Sequence, residues 1–338
     1  VSGPPGQSRF GSVLIPDSAG TDEGNAVDAE TGADRRRTKI RLLGDRDGFD
    51  NEFFFVRPER LRQTIVFASA QPMPAATDSE SIRQRLDFYV RQIPWSDSTR
   101  DVDFVVQNGF QQAREWDPRQ IPCVIANVSA ELGDHLGALE TYLDRGGRML
   151  LVIDEPVSQA GLGVLKTLLD SQELTILPES SDEYHLISAV DFESRLIAPL
   201  SEPGVNDFST IRVWKHVGLD GVDTPIKTIL RLDDGSPWLL ERDFPPESAD
   251  GFAGRLWVLT SGCQPSQSQF ALSTNFVPIL LSMLGPIRQL TPDSILVGDA
   301  LPTEPKSDDE ESVSIATTPG VETLDDGSPI AVKLDPRE

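Results

Sequence analysis

Apolar and polar positions follow two alternating periods through the middle of the chain. QTIVFAS, from Gln63, is an apolar run of strand length. After a cap at Asp78 or Ser79, Ile82, Leu86, Tyr89 or Val90, and Ile93 recur at helical spacing. DVDFVV predicts the next strand and, past a loop around Asp117-Pro118, CVIAN a short buried one. Ser129 then opens a helix whose apolar face is Leu132, Leu136, Leu139 and Leu143. Gly146-Gly147 ends it, and RMLLVI follows as a strand. Strand, helix, strand at this spacing demands right-handed crossovers, so the expected fold class is α/β, with a doubly wound, mostly parallel sheet.

The second half reads differently. IRVWKHVGL, IKTILRL and PWLLERDF predict strands, the last two joined by Asp233-Asp234-Gly235-Ser236 as an antiparallel hairpin added to the mostly parallel sheet. RLWVLTSG supplies one more buried strand before a helix over Phe276 to Leu284. The tract FALSTNFVPILLSMLGPI around that helix carries Ser, Thr, Asn, two Pro and a Gly, which suits a core helix better than a membrane span.

Five regions follow from these patterns. Residues 1–34 are expected to be a disordered acidic segment. Residues 35–62, with KIRLLGDRDGFDNEFFFV as a hairpin, read as the end of a β-sandwich, and 63–288 as the α/β domain. Residues 289–311 form an acidic linker, and 312–338 the truncated start of a further β-domain.

Charge narrows the partners. Among 338 residues, 54 Asp and Glu oppose 30 Lys and Arg, giving a net charge of -24. Phosphate backbones and anionic membrane surfaces are then poor partners, while a protein partner stays open. The chain begins at Val1 with no leader-like segment, which reads as a fragment or a processed chain. Cys123 and Cys263 are too few for a disulfide scaffold or a zinc cluster. In parallel strands they fall at opposite sheet edges, roughly 17 Å apart, whereas bridged Cα atoms lie within about 7 Å.

Candidate chemistry collects at strand ends. Asp154 and Glu155 terminate RMLLVI, and Ser69, Asn108, Asn127 and Ser129 end or follow neighbouring strands. Together they are polar enough for a weak ligand or metal site. The plainer reading is a solvated edge, with Asp154 or Glu155 capping the next helical segment. Asp45, Asp47 and Asp50, beside Asn51 and Glu52, form an acidic turn without the spacing of a calcium loop, so no metal is expected there. Cys263, in TSGCQP, is the best nucleophile candidate, with His185 or His216 as its base; its plainer reading is a partly buried loop residue. Cys123 reads as core, and His135 as a surface or boundary residue of a helix. Gly161 and Gly163 lack the spacing of a dinucleotide fingerprint, no P-loop is present, and no cofactor is expected.

Two passages, ALETYLDRGGRMLLVI and GRLWVLTSGCQPSQSQFALSTNFVPILLSML, resemble the class I glutamine amidotransferase-like domain, a flavodoxin-like α/β fold, over about Gln63 to Leu284. More narrowly, the chain resembles the version in BatA-type, aerotolerance-regulator-like, membrane-anchored bacterial proteins, notably of planctomycetes. GDRDGFDNEFFFV resembles the end of the preceding sandwich in such proteins, and LVGDAL with VETLDDGSPI the start of the following one. An amidotransferase needs a thiolate at a tight turn after a strand, a His and Glu to activate it, and backbone N–H groups for the oxyanion. Here the corresponding strand ends Ile153-Asp154-Glu155-Pro156, with neither Cys nor Ser at the turn. The resemblance therefore implies a non-catalytic structural or protein-interaction module. It also implies an extracytoplasmic, periplasmic setting, with membrane attachment only through segments outside this chain. The alternatives are a residual cysteine hydrolase or amidotransferase using Cys263, and weak ligand or metal binding at the strand carboxyl ends.

Overall fold

The computed structural model describes residues 37–41, 52–56, 60–69, 82–97, 99–177, 184–200, 207–246, 252–285, 294–301, 314–324 and 329–334. In chain order the strands begin with β1 (Arg37–Arg41), β2 (Glu52–Val56), β3 (Leu61–Ser69), β4 (Arg100–Asn108), β5 (Cys123–Asn127), β6 (Arg148–Val152), β7 (Thr175–Ile176) and β8 (His185–Val190). They continue with β9 (Arg212–Val213), β10 (Leu219–Asp220), β11 (Lys227–Leu232), β12 (Pro237–Phe244), β13 (Gly254–Leu259), β14 (Ser294–Leu296), β15 (Gly320–Thr323) and β16 (Pro329–Lys333). The α-helices are α1 (Leu86–Arg91), α2 (Leu136–Asp144), α3 (Gln159–Leu169) and α4 (Phe276–Leu284). Among the described residues no helix is long and apolar enough to cross a membrane.

The chain divides into two units, one of Arg60–Arg288 and one joining Val1–Glu59 to Gln289–Glu338. In the latter, β1 and β2 form an antiparallel hairpin, and β14, β16 and β15 a three-stranded sheet. These pieces were expected as parts of two separate sandwiches. Instead they share one unit, where β2 packs on β15 and β16 and Lys333 Nζ lies 4.9 Å from the Phe53 ring centre. The cap expected at Asp78 or Ser79 lies outside the described residues.

The larger unit is a mixed α/β fold with few helices. Its nine-stranded sheet runs β4-β3-β5-β6-β13-β12-β11-β8-β9. From β4 to β13 all neighbours are parallel, and from β13 to β9 all are antiparallel. The sheet is thus parallel over one half rather than mostly parallel. Its central strands are apolar on both sides, as strands covered on both faces must be. Leu150 and Val152 of β6 join one core with residues of α1 and α4, while Met149 and Leu151 join the other with α2 and α3. Alternation along one strand thereby serves two helical layers.

Three elements depart from the sequence pattern. IRVWKHVGL holds only the two-residue strands β9 and β10, because Trp214 and Lys215 N–H groups go to Gln267 O at 2.7 and 3.1 Å and Val217 N–H goes to Thr260 O at 2.8 Å. The helix after Ser129 begins as a 3-10 segment over Ala130–His135, so His135 stands at its junction with α2 and not mid-helix. Helix α3 is the helical segment expected after Asp154 and Glu155, but it starts later. Its N-cap is Ser158, whose Oγ accepts from Gly161 N–H at 3.1 Å, and not Asp154 or Glu155.

The passage from α2 to β6 sets the spacing of the sheet. Gly146 adopts a φ of 86°, and the Gly147 N–H returns to Tyr142 O at 2.8 Å, closing the helix. Tyr142 is buried, and its hydroxyl donates to Ile121 O at 2.9 Å. β13 then enters beside β6 with Gly254 against this turn: a Cβ there would stand 1.8 Å from Leu143 O. Gly254→Ala is expected to destabilise the protein at or above the upper end of the about 1–3 kcal/mol typical of overpacking. Gly163→Ala, in a helical position with no atom within 4 Å of the new methyl, should stabilise it by about 0.5–1 kcal/mol. Urea unfolding of the two variants measures the contrast.

Candidate functional site

The carboxyl ends of β5, β6 and β13 bring together residues distant in sequence. Asn127 Nδ2 donates to Asp154 Oδ2 at 2.5 Å, and Gln267 Nε2 donates to Asp154 O at 2.5 Å. Gln267 Oε1 in turn accepts from Gly262 N–H at 2.7 Å, and Ser268 Oγ donates to Gly262 O at 2.7 Å. Behind this turn Trp238 Nε1 donates to Ser261 Oγ at 2.7 Å in the core. The turn following β13 is thus laced to the end of β6 by side-chain hydrogen bonds. Asn127 Oδ1, Ser129 Oγ and Gln264 Oε1 are buried without a hydrogen-bond partner among the described residues. Being sealed from solvent, they offer nothing to an approaching ligand unless the turn opens.

Asp154 lies mostly inside this network. Burial, and secondarily the charge of Glu155, pushes its carboxyl up from an ordinary 3.8 to about 6. Cys263 is 1% exposed. Burial first and the Asp154 carboxylate second raise its thiol well above the ordinary thiol range. A protonated thiol walled off from solvent is a poor nucleophile.

The other sequence candidates are placed as follows. Glu155 is exposed at the surface. Asn108 is exposed at the end of β4, three strands from Asp154, or roughly 14 Å at about 4.8 Å per strand. Cys123 is buried at the opposite end of the parallel strands, and burial pushes its thiol up to about 12. Both cysteines are free. Asp45, Asp47 and Asp50 lie outside the described residues.

The two remaining histidines meet away from Cys263's hydrogen-bonding reach. His185 Nδ1 is 2.9 Å from Asp233 Oδ1, and His216 Nε2 is 3.2 Å from Asp234 Oδ2. Their rings stand 5.0 Å apart at 87°. Burial, partly offset by Asp234, holds the His216 imidazole below the ordinary histidine range. Burial works to raise the Asp234 carboxyl, but hydrogen bonds from Ser236 and the charges of both imidazoles outweigh it and keep that carboxyl low. No described hydrogen bond joins either ring to Cys263, so the geometry lends the proposed thiol no base. Gln267, Asp233 and Asp234 went unrecognised as site residues in the sequence. DDGS reads there as a turn, and a lone Gln in QPSQSQ carries no signal.

No family model and no curated protein matches the chain. Among solved structures it is similar to an exo-β-1,4-mannosidase from Opitutaceae bacterium strain TAV5, with TM-score 0.36 and 11% identity. That match covers 64% of this chain and 33% of that one, so the chain spans about a third of the mannosidase. The mmIFT52 N-terminal domain gives TM-score 0.40 and 13% identity over 68% of this chain and 100% of that one. A ThuA-like protein from Bacteroides uniformis ATCC 8492 gives 0.42 and 10% over 67% and 91%. None of these likenesses carries a functional reading.

The raised Asp154 carboxyl has a consequence for stability. Well below pH 3.8 the group is neutral in folded and unfolded chains alike. Between about pH 3.8 and 6 the unfolded chain ionises while the folded protein keeps the buried group protonated, so stability falls as pH rises and levels off above 6 at a cost of about 3 kcal/mol. Asp154→Asn keeps an oxygen to accept the Asn127 hydrogen bond and removes the charge. The variant should match the wild type at about pH 3 and exceed its stability by up to about 3 kcal/mol at about pH 7.5. Paired melting curves across that window measure the difference, and a gap that does not grow with pH would refute the assignment.

Proposed function

We propose that this chain is a non-catalytic, protein-interacting module of a larger membrane-anchored protein. The carrying observation is what stands where a nucleophile would: Asp154, tied by Asn127 and Gln267 at the end of β6, with Cys263 buried beside it. The parallel strands, taken in chain order, run 2-1-3-4-5 across the sheet. That is the flavodoxin-like doubly wound order, with its switch point between β3 and β5. It supports reading the larger unit as an amidotransferase-like domain without the amidotransferase chemistry. The membrane anchor and the periplasmic setting rest on the sequence resemblance to BatA-type proteins, as does the protein partner.

Two measurements test this reading. Purified chain should hydrolyse neither glutamine nor an activated ester above background, and iodoacetamide should label Cys263 only after denaturation. Turnover that disappears in Cys263→Ala would sink the non-catalytic assignment. For the setting, fractionated native cells should hold the protein in the membrane pellet and expose it to protease from the periplasmic side. Recovery in the soluble cytosol would contradict the anchor.

A further inference from the structure

We propose that His185, His216 and Asp234 form a site for a divalent first-row transition cation of the zinc type, with Asp233 as the positioning residue for His185. The three would-be ligands come from separate segments of the antiparallel half. His185 opens β8, His216 lies in the irregular stretch between β9 and β10, and Asp234 sits in the turn between β11 and β12. One ligand atom from each lies within 4.8 Å of the others.

Each side chain is aimed by its own supports. The Asp233 N–H donates to Leu186 O at 2.9 Å, locking the β11–β12 turn against β8. Ser236 donates to Asp234 through its N–H at 2.8 Å and its Oγ at 3.0 Å, fixing the carboxylate. Val217 N–H donates to Thr260 O at 2.8 Å, holding the His216 segment against the end of β13. Asp233 Oδ1 then takes the Nδ1 proton of His185 at 2.9 Å. This carboxylate–histidine contact leaves the lone pair on Nε2, the arrangement by which outer carboxylates orient metal-ligating imidazoles.

The orphaned atom points to the ligand. His185 Nε2 is buried, lacks a hydrogen-bond partner among the described residues, and lies 3.9 Å from Asp234 Oδ2. His216 Nε2 approaches the same oxygen to 3.2 Å. With its one proton on Nδ1 toward Asp233, His185 presents a bare Nε2 lone pair to Asp234, and a buried acceptor so stranded is costly. A cation at the convergence point satisfies all three. Tetrahedral ligands at about 2.0–2.1 Å from zinc stand roughly 3.3 Å apart, so the His216 contact already fits and the His185 contact needs to close by about half an ångström. The side chains of His185, His216 and Asp234 are 14%, 5% and 20% exposed, dry enough to favour inner-sphere binding. Asp234 also lines an open cavity of about 270 Å³ with Thr228, Arg231 and Ser236, so the carboxylate end of the cluster borders solvent.

Ligand chemistry selects the class. Calcium and magnesium prefer all-oxygen shells, whereas two imidazoles with a carboxylate suit zinc, cobalt, nickel or iron(II). With three protein ligands, the fourth position is left for water or a further donor. A bound ion would also clip β8, the β10 approach and the β11–β12 turn together.

The test titrates chelator-treated full chain with Zn²⁺ by calorimetry, and with Co²⁺ by its visible absorption. One saturable site per chain, a higher melting temperature with Zn²⁺ and a four-coordinate Co²⁺ spectrum are expected. His185→Ala, His216→Ala and Asp234→Asn should each weaken Zn²⁺ binding by about 100-fold or more, and Asp233→Asn by about 10–100-fold. Far-UV circular dichroism checks that each variant is folded; if the alanine variants are not, the near-isosteric Asp234→Asn and Asp233→Asn carry the test. Absence of saturable binding up to millimolar Zn²⁺ would overturn the site. So would undiminished binding in any folded variant of the three ligands, which would place the ion on the acidic surface instead.

Discussion

The entry of β13 between β6 and β12 is the constraint on which the larger unit turns. This strand must pair parallel on one side and antiparallel on the other. It can do so only because Gly254 carries no Cβ beneath the last turn of α2, where Leu143 O occupies the space. Once β13 is in place, its register carries Leu259 alongside Val152, so the following turn arrives beside Asp154. On its other side β12 and β11 stack outward, and their connecting turn delivers Asp234 to the histidines. Both polar clusters of the unit descend from one backbone contact.

The two clusters differ in the chemistry they bring together. At the carboxyl ends of the parallel strands, hydrogen bonds from Asn127 and Gln267 close over Asp154, and burial keeps Cys263 protonated. The place where an α/β enzyme concentrates its chemistry is filled by protein. In the antiparallel half, the groups are held in position and yet left incompletely satisfied, His185 Nε2 above all. Among the described residues both clusters leave buried polar atoms unpartnered, but only in the antiparallel half is one of them an imidazole nitrogen facing two further metal-ligating groups.

Legibility in the sequence tracked how local each determinant is. CVIAN, PWLLERDF and the Phe276–Leu284 helix stand at the bounds their patterns imply, since runs of buried residues carry their own period. IRVWKHVGL looks equally strand-like, but its backbone donors are claimed by Gln267 and Thr260, residues far along the chain. Helix α3 was expected as a helical segment after β6, and Val164, Leu165, Leu168 and Leu169 form its buried face, but its cap is Ser158. Asp154 and Asn127 were recognisable as strand-end neighbours, because parallel pairing of β5 with β6 aligns their termini. The meeting of His185 with Asp233 spans 48 residues and no pattern announces it.

By itself the amino-acid sequence determined the alternating elements, the double-sided burial of the central strands and the absence of a nucleophile at the turn after β6. These follow from side-chain size, polarity and period, which act within a few residues. Tertiary structure alone decided that the hairpin strands join the far side of β13 in one continuous sheet, that Asp154 is half-buried and hydrogen-bonded instead of solvated, and that two histidines face one carboxylate. Those outcomes depend on which backbone groups find partners across the sheet, a competition settled only when all the strands are in place.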